Sequence, residues 1–240
     1  MLFLPAAAMC AGPGIGIADA DRVSADIISK YVAATENQEN AIDNESVEMD
    51  IDASLPKLQK SGHLRALKKI SRLRRSSYRV LSFQGDNTVK QQVIARYLQA
   101  EQQGHGDKEL AVTPANYKFK LKGEQDENAG NPVYVFHVSP RKKRVGLFRG
   151  EVWIDARTYL PVYEKGRFVK NPSIFFKRVD FERAYTIQNG RSLPEHMTST
   201  INARLVGRVE LNVTYSNFAP DSSTENEGNL QPAMAVAASN

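Results

Sequence analysis

The stretch that decides the fold covers residues 150–162 and reads GEVWIDARTYLPV. Its first half alternates, with Val152 and Ile154 on one side of the pleat and Trp153 on the other. Residues 155–158 have the polar chemistry of a tight turn, after which the chain resumes an extended course. The stretch therefore predicts a β-hairpin.

Segments of the same kind surround this hairpin. Strand patterns bounded by Gly, Pro or Asn pairs occupy residues 117–122, 133–138, 147–155, 160–169, 174–188, 193–203 and 205–218. Earlier in the chain, residues 45–52 alternate cleanly and 78–83 are strand-like. Residues 63–75 are ambiguous, because their apolar residues recur every three positions as in a helix. We interpret them as a basic strand that pairs with the acidic strand at 45–52.

Two segments have the apolar stripe of an amphipathic helix, residues 21–34 and 88–103. Many short strands combined with only two helices predict a mainly β (α+β) domain. Its sheet would be a sandwich, a barrel or a strongly curved open antiparallel sheet.

The chain ends differ from this domain in composition. Residues 1–20 are apolar and small, and Ala18-Asp19-Ala20 has the form of a cleavage site, so we expect a signal peptide and a periplasmic protein. Cys10 is the single cysteine; lipidation there is left open, and removal of the signal would leave no cysteine. Residues 219–240 are rich in Ser, Asn, Ala and Glu and are predicted to be disordered. The expected domain covers residues 21–218.

Four segments resemble the central and final hairpins of LolA/LolB-like outer-membrane lipoprotein-sorting proteins. They are residues 138–140 (VSP), 146–155 (GLFRGEVWID), 160–162 (LPV) and 207–218 (GRVELNVTYSNF). The resemblance implies a strongly curved antiparallel half-barrel, LolA-like, with an apolar concave inside and two covering helices. It also implies a periplasmic carrier or chaperone that moves acyl chains of lipoproteins or lipids toward the outer membrane. The alternative is an envelope regulatory or scaffold module on the same fold that binds a partner protein.

Apolar residues of the neighbouring strands are the candidates for lining such a cavity. They are Tyr117, Phe119, Leu121, Val133, Val135, Val152, Trp153 and Ile154. The sequence does not decide which alternate set points inward, because a slip of one residue inverts the face of a strand. Ordinary core packing is the competing interpretation for each of them.

The basic run Arg141, Lys142, Lys143 and Arg144 is a candidate contact for lipid headgroups, a membrane surface or an acidic partner protein. A solvated hairpin turn is the simpler interpretation. Nucleic-acid binding is not expected, because the basic and aromatic residues of 117–122 alternate and so fall on opposite faces.

The sequence contains no motif typical of an enzyme or a metal site. The histidines at positions 63, 105, 137 and 196 lack the spacing of metal ligands, and no nucleophile elbow, phosphate-binding loop or HExxH motif occurs. We therefore expect a protein that holds a ligand rather than one that converts it, with no cofactor.

Overall fold

The computed structural model describes residues 17–221 except 42–43, 72–74, 105–106, 128–130 and 173. Its helices are α1 (Ile17–Asn40), α2 (Asn87–Val89) and α3 (Ala95–Gly104), and a π-helical segment, Lys90–Ile94, makes α2 and α3 continuous. Its strands are β1 (Glu45–Leu55), β2 (Lys60–Ile70), β3 (Ser76–Gly85), β4 (Tyr117–Glu127), β5 (Asn131–Pro140), β6 (Phe148–Asp155), β7 (Pro161–Phe168), β8 (Phe176–Gln188), β9 (Arg191–Ala203) and β10 (Gly207–Pro220).

All of these strands form one antiparallel sheet in the order β3-β2-β1-β10-β9-β8-β7-β6-β5-β4. Neighbours in the sheet are mostly neighbours in sequence, joined as hairpins. The exception is β10, which pairs with β9 on one side and with β1 on the other. The sheet is open, because its two outermost strands, β3 and β4, are not paired with each other.

A pair of glycines lets β6 and β7 approach each other very closely. Gly150 lies directly opposite Gly166. A Cβ atom on Gly150 would meet the backbone oxygen of Lys165 at 1.9 Å, and one on Gly166 would meet a ring carbon of Phe148 at 2.5 Å. Only glycine fits at such a contact, so a side chain at either position would force the two strands apart. We call the face that packs against the helices the inner face and the opposite one the outer face.

Two apolar clusters lie on the inner face, one under each helical element. The α2–α3 helix covers the first with Val89, Ile94 and Leu98, which pack against the strands at the β3–β10 end of the sheet. Helix α1 covers the second with Ile27 and Tyr31. The α2–α3 helix covers the apolar stripe that the sequence predicts, whereas α1 buries Ile27 and Tyr31 of its stripe and leaves Val23 52% exposed. Burial of an apolar stripe is the main source of stability for an amphipathic helix in a protein.

The structure confirms the predicted fold class, an open antiparallel sheet with two covering helices. Residues 63–75 are the ambiguous case, and their first part belongs to strand β2, so the helical interpretation was wrong there. Pairing with β1 explains this outcome, because His63 and Arg65 lie opposite Asp52 and Asp50 of that acidic strand.

Some predicted boundaries differ from those of the structure. Helix α1 begins at Ile17, so cleavage after Ala20 would remove its first turn. Strand β10 runs to Pro220, two residues past the predicted domain end. The rest of the signal peptide, Cys10 and most of the predicted disordered tail lie outside the described residues.

Candidate functional site

The candidate site is the apolar part of the inner face beneath α1. Eight of its side chains, from four strands and one connecting loop, are almost fully buried. They are Tyr117, Phe136, Val138, Leu147, Phe148, Val152, Ile154 and Phe181. Aromatic rings dominate the contacts, with the centroids of Phe148 and Phe181 at 5.0 Å and those of Tyr117 and Phe148 at 5.6 Å. We call these eight residues the inner apolar face.

Tyr117 adds one polar contact to this surface. Its hydroxyl accepts a hydrogen bond from the backbone N–H of Phe148 at 3.2 Å. Burial raises the pKa of Tyr117 to about 12, so the hydroxyl remains protonated at neutral pH. The surface beneath α1 is therefore uncharged at this point and suited to hydrocarbon.

Helix α1 covers this surface through a few large side chains. Ile27 is 3% exposed and Tyr31 is 4% exposed. The ring of Tyr31 lies 6.3 Å from that of Phe119, which in turn contacts Phe136 edge-on at 6.0 Å. The apolar side chains of α1 thus occupy the position that an apolar ligand would take.

Polar contacts fasten α1 near its middle and near its end. The side-chain amide of Gln38 donates to the backbone oxygen of Ser192 at 3.0 Å and accepts from the backbone N–H of the same residue at 2.8 Å. Closer to the middle, the ammonium group of Lys30 lies 5.1 Å from the ring centroid of Tyr159. These contacts hold the helix against the beginning of β9 and the β6–β7 turn.

The eight predicted lining residues do not form one surface. Five of them, namely Tyr117, Phe119, Leu121, Val152 and Ile154, belong to the cluster beneath α1. The other three, Val133, Val135 and Trp153, form a separate small cluster. Because successive side chains of a strand point to opposite faces, these three lie on the outer face. Contact of the inner five with a ligand remains a prediction.

A polar group lies on the inner face beside the apolar cluster. The carboxylate of Glu164, whose side chain is 8% exposed, accepts a hydrogen bond from the hydroxyl of Tyr185 at 3.1 Å and faces the guanidinium of Arg183 at 3.6 Å. Burial and the Glu164 carboxylate raise the pKa of Tyr185 well above its usual value. Sequence reasoning missed this group, because alternating charges on β7 and β8 are typical of solvent-exposed positions.

A second buried polar group lies beneath α3. The ammonium of Lys68 is 2.6 Å from a carboxylate oxygen of Glu101, and the hydroxyls of Tyr97 and Tyr215 are 3.0 Å apart. Burial acts to raise the pKa of Glu101, but the charge of Lys68 and its hydrogen bond hold that pKa below its usual value. The group ties α3 to strand β2 by charge.

The predicted basic run lies at the β5–β6 connection. Arg141, Lys142 and Lys143 are exposed, whereas Arg144 forms ion pairs with Asp107 and Glu109. The guanidinium of Arg141 also donates to a backbone oxygen at 2.8 Å. The structure thus leaves Lys142 and Lys143 as the freely exposed cations of this run.

The outer face carries two cavities, of about 360 Å³ and about 920 Å³. The smaller lies over β1 and β2, where His63 contacts Asp52 at 2.9 Å. The larger crosses β5 to β9 and is lined mainly by charged side chains. Both differ in chemistry from the inner apolar face.

The described part of the chain offers no group of three His, Cys, Asp or Glu placed to bind a metal ion. No helix within it is long and apolar enough to cross a membrane. His105, one of the four histidines considered above, lies outside the described residues.

Neither a protein-family model nor a curated protein matches this sequence. Among solved structures, the chain is similar to a LolA superfamily protein from Nitrosomonas europaea, at 10% identity over 88% of this chain and 98% of that one, with a TM-score of 0.46. It is also similar to a domain assigned to outer-membrane lipoprotein sorting from Vibrio parahaemolyticus, at 12% identity over 87% and 97%, with a TM-score of 0.43.

A third similar structure is the MucA/MucB complex of Pseudomonas aeruginosa, at 13% identity over 82% of this chain and 100% of that one, with a TM-score of 0.28. The similarity is one of fold.

Proposed function

We propose that this chain is an exported, periplasmic carrier that binds the acyl chain of a lipoprotein or lipid on the inner apolar face and moves it toward the outer membrane. The observation that supports the proposal is the inner apolar face itself, a broad uncharged surface covered by a single helix. No step of this function requires a catalytic group, since hydrocarbon is held by burial alone.

Binding requires that α1 moves away, because its side chains fill the space above the inner apolar face in the present conformation. Burial of Ile27 and Tyr31 contributes about 2–3 kcal/mol each. A fatty acyl chain contributes about 0.8 kcal/mol per buried methylene, or roughly 12 kcal/mol before the costs of binding for a chain of about 15 methylenes. The two side chains together account for about 4–6 kcal/mol, so roughly 6–8 kcal/mol of the gross gain remains to offset costs of association of about 4–15 kcal/mol.

A second candidate function is the binding of a partner protein rather than a lipid. The observation that favours it is the filled inner face, together with the exposed cations of the outermost strand β4, Lys118, Lys120 and Lys122. A basic sheet edge of this kind attracts an acidic surface and is protected from uncontrolled strand pairing by its lysines.

Mass spectrometry of organic extracts, combined with displacement of a fluorescent fatty acid, tests the proposal. We expect lipid in the extract of the purified native protein and saturable binding of the probe. Phe119→Gln, which makes the half-buried centre of the site polar, should weaken probe binding. Lys120→Gln on the other face of the same strand is the matched control and should leave it unchanged.

Absence of both lipid and probe binding in the native protein would refute the carrier function and leave the partner-binding candidate. Equal weakening by Phe119→Gln and Lys120→Gln would show that the probe binds elsewhere.

A further inference from the structure

The larger outer cavity has the size of a ligand site. Its volume of about 920 Å³ lies within the range of roughly 300–1,000 Å³ that is typical of small-molecule sites. Its charged lining comprises five cations and three carboxylates, which are Lys143, Arg149, Lys165, Arg167, Arg178, Glu151, Asp180 and Glu182. The cavity therefore has an excess of positive charge.

Two arginines of this cavity share one carboxylate, and a third arginine lies beside them. The guanidinium of Arg167 lies 3.0 Å from one oxygen of Asp180, and Arg178 binds the other oxygen. Arg149 lies directly opposite Arg167 on the neighbouring strand. Like charges in this position destabilise a sheet unless an opposite charge lies between them. Within the described residues, Arg149 is exposed and has no acidic partner.

The remaining carboxylates of the cavity are already engaged. Glu151 lies 3.2 Å from the ammonium of Lys165 and also accepts from the indole N–H of Trp153 at 3.4 Å. Glu182 accepts a hydrogen bond from the hydroxyl of Tyr163 at 2.7 Å. Neither carboxylate is therefore available to neutralise Arg149.

Further donors surround the arginines. Thr198 and Thr200 of β9 line the same cavity. Lys143, a residue of the basic run, also lines the cavity, and its ammonium group is exposed. Like Arg149, it has no acidic partner among the described residues. The cavity is thus lined by two cations without an acidic partner among the described residues, Arg149 and Lys143, and by two arginines that share the single negative charge of Asp180.

We propose that this cavity binds a phosphate-bearing anion, held by Arg149, Arg167 and Arg178 with Lys143 at the rim. The planar guanidinium fork matches the oxygens of phosphate, and such charge-assisted hydrogen bonds are about twice as strong as neutral ones. A bound phosphate would relieve the repulsion between Arg149 and Arg167. The phosphate would come either from the headgroup of a lipid or from a soluble phosphate ester.

The charged side chains of this site lie on the face opposite to the inner apolar face; Phe181 lines both sites, but no charged residue is shared, so different variants test the two functions. The two can fail independently. A variant that loses phosphate binding should retain binding of the fluorescent fatty acid, and a variant that loses fatty acid binding should retain phosphate binding.

Calorimetric titration of the full chain with inorganic pyrophosphate tests the inference. We expect Arg149→Gln to weaken binding by about tenfold or more, since it removes a charge-assisted contact. Arg149→Lys, which keeps the charge but not the fork, should weaken it less. Arg79→Gln is the matched control, because Arg79 is exposed and unpaired on β3 at the far edge of the sheet.

Flotation with vesicles separates the two sources of the phosphate. The site would be assigned to a lipid headgroup if the protein binds phosphatidylcholine vesicles that contain phosphatidylglycerol, if Arg149→Gln loses this binding, and if pyrophosphate competes with it. Binding of pyrophosphate without binding of such vesicles would assign it to a soluble ester. The inference is overturned if the native protein binds neither probe, or if Arg79→Gln weakens binding as much as Arg149→Gln.

Discussion

Replacement of Gln38 by alanine should loosen α1 without disturbing the sheet. The amide of this side chain makes two hydrogen bonds to the backbone of Ser192, one as donor and one as acceptor. The change removes both and leaves the apolar contacts of Ile27 and Tyr31 in place. Gln38 is half-buried, so water can replace part of what is lost.

The size of the effect follows from the two bonds. A net contribution of about 0.7 kcal/mol for each, which already includes the exchange with water, gives roughly 1.4 kcal/mol. That value corresponds to about a tenfold increase in the population with α1 detached. Since only the detached form exposes the inner apolar face, the apparent dissociation constant for the fluorescent fatty acid should fall by about the same factor.

Hydrogen exchange of the α1 amides, measured together with probe binding, checks this expectation. Gln102→Ala is the matched control, because its amide fastens α3 to the backbone oxygen of Ser76 at 2.9 Å in the same way. The control should speed exchange in α3 and leave probe affinity unchanged. Unaltered α1 exchange, or weaker probe binding, in Gln38→Ala would refute the reasoning.

Two further predictions concern stability. Gly150→Ala should lower the free energy of unfolding in urea by about 3 kcal/mol, because the new Cβ would meet backbone at 1.9 Å. Gly104→Ala is the control and should change little, because its nearest contact is at 3.5 Å. Equal effects would contradict the close approach of β6 and β7. Glu101→Gln should cost about 2–4 kcal/mol by leaving Lys68 buried without its partner, against less than about 1 kcal/mol for Glu210→Gln, whose carboxylate is only partly buried. The folded-state pKa of Glu101 is lowered, so its carboxylate contributes fully to stability above its unfolded-state pKa. This contribution is lost as the pH falls through the folded-state pKa. The thermal unfolding midpoints of Glu101→Gln and the native chain should therefore converge in acid. A difference that persists in acid would contradict this assignment.

The strands and helices were largely predictable from the sequence, because alternation and helical stripes report which side of an element is buried. Strand β1 is the clearest example, with Val47, Met49 and Ile51 buried as its alternation indicates. Asn189 and Gly190 lie between the predicted strands 174–188 and 193–203, and both residues have the positive φ angles that their types favour in a hairpin turn.

The candidate site was predictable only in part, since a pattern within one strand does not report the strand's partner. Trp153 and Val152 are adjacent in sequence yet belong to opposite faces, and only the position of α1 decides which face is covered. The contact of Arg183 with Glu164 joins two strands. Neither strand's sequence, taken alone, distinguishes that pair from ordinary surface charges.

The place of β10 in the sheet has a consequence for how the molecule is made. Among the described strands β10 comes last in sequence, yet it joins β1 to β9. Before β10 is synthesised, the chain therefore holds two pieces of sheet that are not connected. Pairing between such distant segments is slow to form. A chain of this design completes its sheet only once β10 has been synthesised, and until then the edges of β1 and β9 remain unpaired.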